Sequence, residues 1–72
     1  MINTKELKKL LIDKDLKIND VATYVGKSYS NILLKINGKL PMSLNDAEKI
    51  QTLLGIEDND FCFYFLSHER AL

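Results

Sequence analysis

The sequence predicts an all-α domain built from five short helices. Three observations lead there: apolar residues recur at i, i+3 and i+4 in successive segments, each of the three glycines follows such a segment, and capping residues stand ahead of several of them. With 72 residues, 46% of them apolar and 28% charged, the chain makes one domain over residues 1–72, too short for a second core.

The first helix is expected to begin near Asn3, with Glu6 three residues on as a capping-box partner. Leu7, Leu10 and Leu11 form its apolar stripe, Lys8, Lys9 and Asp13 face water, and it stops near Lys14 and Asp15 without a glycine. The second, Ile18 to Val25, carries Ile18, Val21, Ala22 and Val25 at helical spacing. Lys17 is a poor N-cap for it, and Asn19 offers a cap one turn later. Ser28 caps the third helix, which runs to Ile36 or Asn37 before Gly38. Pro41 marks a connector. Ser43 and Asp46 then open the fourth helix, with Leu44, Ala47, Ile50, Leu53 and Leu54 as its buried face. After Gly55, the acids Glu57, Asp58 and Asp60 precede a fifth element read as a helix from Phe61 to Glu69. The run Phe61 to Leu66 also suits a strand on propensity.

The formal net charge is zero, but the zero divides. Residues 1–39 hold eight lysines against four acids, +4; residues 40–72 hold Lys49 and Arg70 against six acids, −4. The balance excludes a disordered polyelectrolyte and gives little support to a nucleic-acid reader, for which a basic domain is expected. One cysteine excludes a disulfide framework and a multi-cysteine zinc site. The six-residue apolar run Phe61 to Leu66 falls far short of the ~20 residues of a membrane span, and residues 1–6 hold no signal-peptide apolar region. A reduced cytoplasmic setting is therefore expected. Cys62 and His68 lie on different helical faces, no triad, phosphate loop or metal-ligand cluster is present, and no enzyme or cofactor is expected. Cys62 reads as a small core residue, and His68 as exposed.

Only Gly26 and Lys27 separate the second and third helices, a connection short enough for a helix-turn-helix with a core at about residues 18–37. Ala22 is small where the two helices approach, while Val21, Val25 and Ile32 point into a shared core. A generic αα-hairpin in a small bundle satisfies the same spacing.

From about Thr4 to Phe65 the chain resembles the Cro/CI-type helix-turn-helix domains, the XRE family. The resemblance rests on Leu16, Val21, Ala22, Val25, Gly26, Ser28, Ile32, Asn37, Gly38 and Lys39. The stretch Lys35 to Ser43 is similar to a subgroup found in phages of Gram-positive bacteria, and length and order resemble small phage antirepressors that modulate a neighbouring CI-type repressor. The resemblance implies a bacterial host cytoplasm and a third helix whose N-terminal residues face base edges in the major groove. At those positions stand Tyr29, Ser30 and Leu34, flanked by Asn31 and Leu33; only Ser30 and Asn31 offer hydrogen bonds to a base edge. Ile18 replaces the glutamine that usually holds a phosphate.

Two functions follow as expectations. In the first, Ile18, Tyr29, Ser30, Leu33, Leu34 and Ile36 form an apolar interface for a CI-type repressor, and the chain acts as an antirepressor in the lysis–lysogeny switch. DNA is then touched only weakly or within a joint complex, and neither a membrane nor a small molecule is a partner. In the second, the chain is a Cro-like repressor binding phage operators as a dimer, with Lys17, Lys27, Ser28, Ser30, Asn31, Lys35 and Lys39 as DNA contacts.

Overall fold

Local capping decides where the helices start. In the computed structural model, which describes residues 2–66, five helices follow in order: α1 (Thr4–Asp13), α2 (Ile18–Val25), α3 (Tyr29–Ile36), α4 (Leu44–Leu54) and α5 (Asp58–Phe65). The side-chain oxygens of Ser28 and Ser43 accept from the backbone N–H of Asn31 and Asp46, each at 3.1 Å, and Asn3 does the same for Glu6 at 3.5 Å. At α2, where Lys17 has no acceptor, the carboxylate of Asp20 reaches back to the Lys17 N–H at 2.8 Å. Half of a capping box therefore replaces the missing cap, and Asn19 is an exposed residue inside the helix rather than its cap.

The helix ends follow the sign of φ. Gly26 (φ +85°) closes α2 by donating to the Ala22 carbonyl at 2.8 Å, and Lys27 N–H donates to the same oxygen at 3.0 Å. Glycine is needed there because an L side chain at that φ is strained, although a Cβ would meet no neighbour. At the end of α1 the same left-handed turn is made by Asp15 at φ +58°. Aspartate tolerates this region better than most L-residues, so α1 ends without a glycine.

The core lies between all five helices. Leu7 and Leu11 of α1, Val21, Ala22 and Val25 of α2, and Ile32 and Ile36 of α3 are buried against Ala47, Ile50 and Leu54 of α4. Ile56 and Phe65 close the end nearest α5. The predicted Ala22, Val21, Val25 and Ile32 core of the helix-turn-helix is in place, with Val21 and Ile32 fully out of water. Lys49 Nζ approaches the Val25 carbonyl at 3.5 Å, placing a cation at the C-terminus of α2.

Three expectations are corrected. First, α5 begins at Asp58 rather than Phe61, because the acids read as a preceding cap occupy its first turn, where they complement the helix dipole. Gln51 Nε2 fixes that start, donating to Asp58 Oδ1 at 2.8 Å and to the Ile56 carbonyl at 3.1 Å. Residues 61–65 are helical, with Phe61 and Phe65 stacked one turn apart at 4.8 Å between ring centroids. The Tyr64 carbonyl accepts from Asn3 N–H at 2.8 Å, which ties the end of α5 to the start of α1. The helix ends at Phe65, with Leu66 as its C-cap, rather than running on through Leu66; the rest of the predicted continuation to Glu69, and His68 with it, lies outside the described residues.

Second, Leu44 is 65% exposed and Leu53 is half-buried, so the buried face of α4 runs through Asp46, Ala47, Ile50 and Leu54. At 3.6 residues per turn Leu44 stands about a quarter-turn away from that line. Third, Cys62 is exposed. Phe65 and, in part, Phe61 carry the inward face of α5, and position 62 turns to solvent.

Candidate nucleic-acid interface

The helix-turn-helix presents the start of α3 outward. Ser28 and Ser30 are exposed, and Tyr29 is 49% exposed. Asn31 is half-buried, with its Oδ1 atom out of water. Leu33 is half-buried and Leu34 is exposed, its carbonyl accepting from Lys39 N–H at 2.8 Å in the turn that follows the helix.

Two residues assigned to this surface face inward. Ile36, expected in the partner interface, is buried in the core, and Thr4 Oγ1 donates to its carbonyl at 2.7 Å. Lys35, expected at DNA, is buried against α4, with Nζ 2.5 Å from Asp46 Oδ2. The reason is angular. Ile32, Lys35 and Ile36 are spaced i, i+3, i+4, and this line faces α1 and α4. Ile36 lies between this line and that of Tyr29 and Leu33, and packing beside Thr4 of α1 takes it inward.

Asp46 organises the charges beneath the turn. It is almost completely buried, and its second oxygen lies 4.0 Å from Lys27 Nζ, whose side chain is half in water. The hydrogen bond from Lys35 holds the Asp46 carboxyl below its ordinary value of 3.8, with Coulomb attraction to Lys35 and Lys27 and the Ser43 hydroxyl adding to it against the opposing effect of burial. Lys35 is thereby committed to the interior and Lys27 is partly held. Lys17 and Lys39 are exposed and make no ion pair among the described residues.

Ile18, Tyr29 and Leu33 do come together. They form one side of an open groove of about 530 Å³ whose other side is Leu11 and Ile12 of α1 and Leu16 of the following turn. Lys8, Lys17 and Asn19 complete the lining. Leu34 does not line this groove, so the single patch expected from Ile18, Tyr29, Leu33 and Leu34 is divided.

Sequence reasoning missed Ile12 and the interior role of Asp46. Ile12 had a signal: it follows the Leu7, Leu10, Leu11 stripe but lies off its line, and it is 76% exposed. Asp46 was legible as a helix-start residue, but nothing local indicated that the lysine eleven positions before it would be buried against it.

What α2 and α3 build is a scaffold that can lay the exposed N-terminal residues of α3 against base edges, with Lys17 and Lys39 available to phosphates. No helix among the described residues is long and apolar enough to cross a membrane. Among curated proteins and solved structures, no match to the chain was found. Residues 6–64 match the family described as the Cro/C1-type HTH DNA-binding domain, a span that contains the whole of α2, α3 and α4, and the chain belongs to that family.

Proposed function

We propose that the chain is a DNA-binding transcriptional regulator that sets α3 into the major groove of an operator. The observation that carries this reading is the exposure of Ser28, Tyr29 and Ser30 at the start of α3, on a turn whose core residues are all buried. Ser30 supplies hydrogen bonding to a base edge, Tyr29 supplies an apolar face with a polar tip, and Lys17 and Lys39 supply phosphate contacts. With Lys35 committed to Asp46, fewer cations reach DNA than the sequence offers, and affinity rests on few phosphates. Anisotropy titrations with intergenic operator DNA across a salt series test this. Binding is expected to weaken with salt, and Lys17→Gln is expected to lower the logarithmic salt slope by about 1. An absence of salt-dependent binding would overturn the reading.

A second reading is favoured by the groove. Ile18, Tyr29 and Leu33 give the helix-turn-helix surface an apolar character that base readout does not need. That character suits an antirepressor that docks on a CI-type repressor and so shifts a phage lysis–lysogeny switch, with Ser30 and Leu34 at the margin of the contact. Co-purification with the product of the neighbouring divergent gene tests it. Leu33→Asp should abolish the complex and leave the helical content unchanged; a complex that survives Leu33→Asp removes this surface from the interaction.

A further inference from the structure

The groove between α1 and the helix-turn-helix has a chemistry of its own. Its floor is apolar, from Leu11, Ile12, Leu16, Ile18, Tyr29 and Leu33. Among the described residues its charged lining is cationic, Lys8 on the α1 side and Lys17 on the α2 side, with no carboxylate. It is open along one face, so it does not enclose a small molecule but can receive a ridge of side chains. Ile12 stands 76% exposed on its edge, a large apolar residue that no other described residue covers.

We infer that this groove receives an amphipathic helix of another protein, one whose apolar ridge is flanked by carboxylates, and that this docking and DNA binding exclude each other. The inference rests on the second reading above only in placing a protein at this surface; the acidic helix and the contribution of α1 go beyond it. A helix laid in a groove anchors through residues at i, i+3 or i+4, and i+7, and these would meet Ile12, Ile18, Tyr29 and Leu33 in turn. Carboxylates on either flank would meet Lys8 and Lys17 and set the orientation. Exclusion follows from shared residues: Tyr29 and Lys17 belong to the groove and to the DNA-facing side of the helix-turn-helix. A second copy of this chain fits less well. Six of its ten acidic residues lie in the back half, and docking that half into the basic groove of a copy is a heterologous contact, which unless it closes into a ring continues into an open chain.

The test uses the full chain and two fluorescent helical peptides of about 15 residues, both with leucines at i, i+3, i+4 and i+7, one flanked by glutamates and one by lysines. The glutamate peptide should bind and the lysine peptide should not. Ile12→Asp and Lys8→Glu should each weaken the glutamate peptide by roughly tenfold or more, and Lys8→Glu should improve the lysine peptide. Both residues are exposed on α1, so both variants should keep wild-type helicity. Operator DNA should displace the glutamate peptide from the wild-type chain. Equal binding of the two peptides, insensitivity to Ile12→Asp, or simultaneous binding of peptide and DNA would overturn the proposal. Concentration-dependent dimerisation abolished by Ile12→Asp would also overturn it, by assigning the groove to a second copy. A repressor complex that is lost in Leu33→Asp, in a chain that ignores the glutamate peptide, would sink the acidic helix and leave the second reading standing. A chain that binds the peptide but no repressor does the reverse.

Discussion

Lys35 Nζ and Asp46 Oδ2 lie 2.5 Å apart with their side chains only 11% and 1% exposed, and this pair joins the third helix to the fourth. The third helix is therefore held from behind by a charge pair as well as by Ile32 and Ile36. Two buried charges stabilise one another mainly by being costly to separate. The pair acts as a register lock: α3 cannot rotate about its axis without stranding one member.

Removing either member alone is expected to destabilise the fold by about 3–5 kcal/mol, because the other is left buried without its partner. Lys35→Met and Asp46→Leu should each show this in urea unfolding followed by circular dichroism. Combining the two should cost less than either alone, since apolar side chains of similar volume replace the pair. A double variant as unstable as the sum of the singles would mean that the two side chains are not coupled.

Asp46 also fixes how the protein responds to acid. Its carboxyl is held below 3.8 in the fold by the Lys35 hydrogen bond, so the unfolded chain takes up that proton first as pH falls. The stabilisation is fully present above the unfolded value and is lost as pH drops through the lower, folded one. Stability measured from pH 7 downward should therefore hold until pH approaches 4 and fall below it. Asp46→Asn should be less stable at neutral pH and show a shallower decline in acid.

Asp15→Gly should stabilise the protein by about 0.5–1 kcal/mol, the strain of a left-handed L-residue less the added freedom of glycine in the unfolded chain. Asp15→Val should destabilise it, since a β-branched side chain tolerates φ +58° poorly. Thermal unfolding of the two variants beside the wild type measures both, and opposite signs are expected.

The exposed Cys62 should react with a thiol reagent in the native protein at the rate of an unhindered thiol and without loss of helicity. A thiol that reacts only after denaturant is added would place Cys62 back in the core.

The helix-turn-helix and the positions of four of the five helices were legible in the sequence because caps and left-handed turns act over three or four residues. Ser28 and Ser43 each bond to an N–H three positions away, and Gly26 closes α2 on its own residues. Even the weak start of α2 was settled locally, by Asp20 reaching Lys17. The start of α5 was missed because acids that complement a helix from just outside it and from within its first turn give the same signal.

The candidate site was legible only in part. Ile18, Tyr29 and Leu33 do share a surface, but Leu34 stands outside the groove, Ile36 and Lys35 turn inward, and Ile12 joins from another helix. By itself the sequence determined where α1 to α4 run, since those caps and stops depend on neighbours along the chain. Only the tertiary structure decided which side of α3 faces α1 and α4, because that helix is apolar on more than one side and its own periodicity leaves the choice open. Packing resolved it by burying Ile32 and Ile36, and the buried Asp46 on α4 supplied the one environment in which Lys35 could follow them inside.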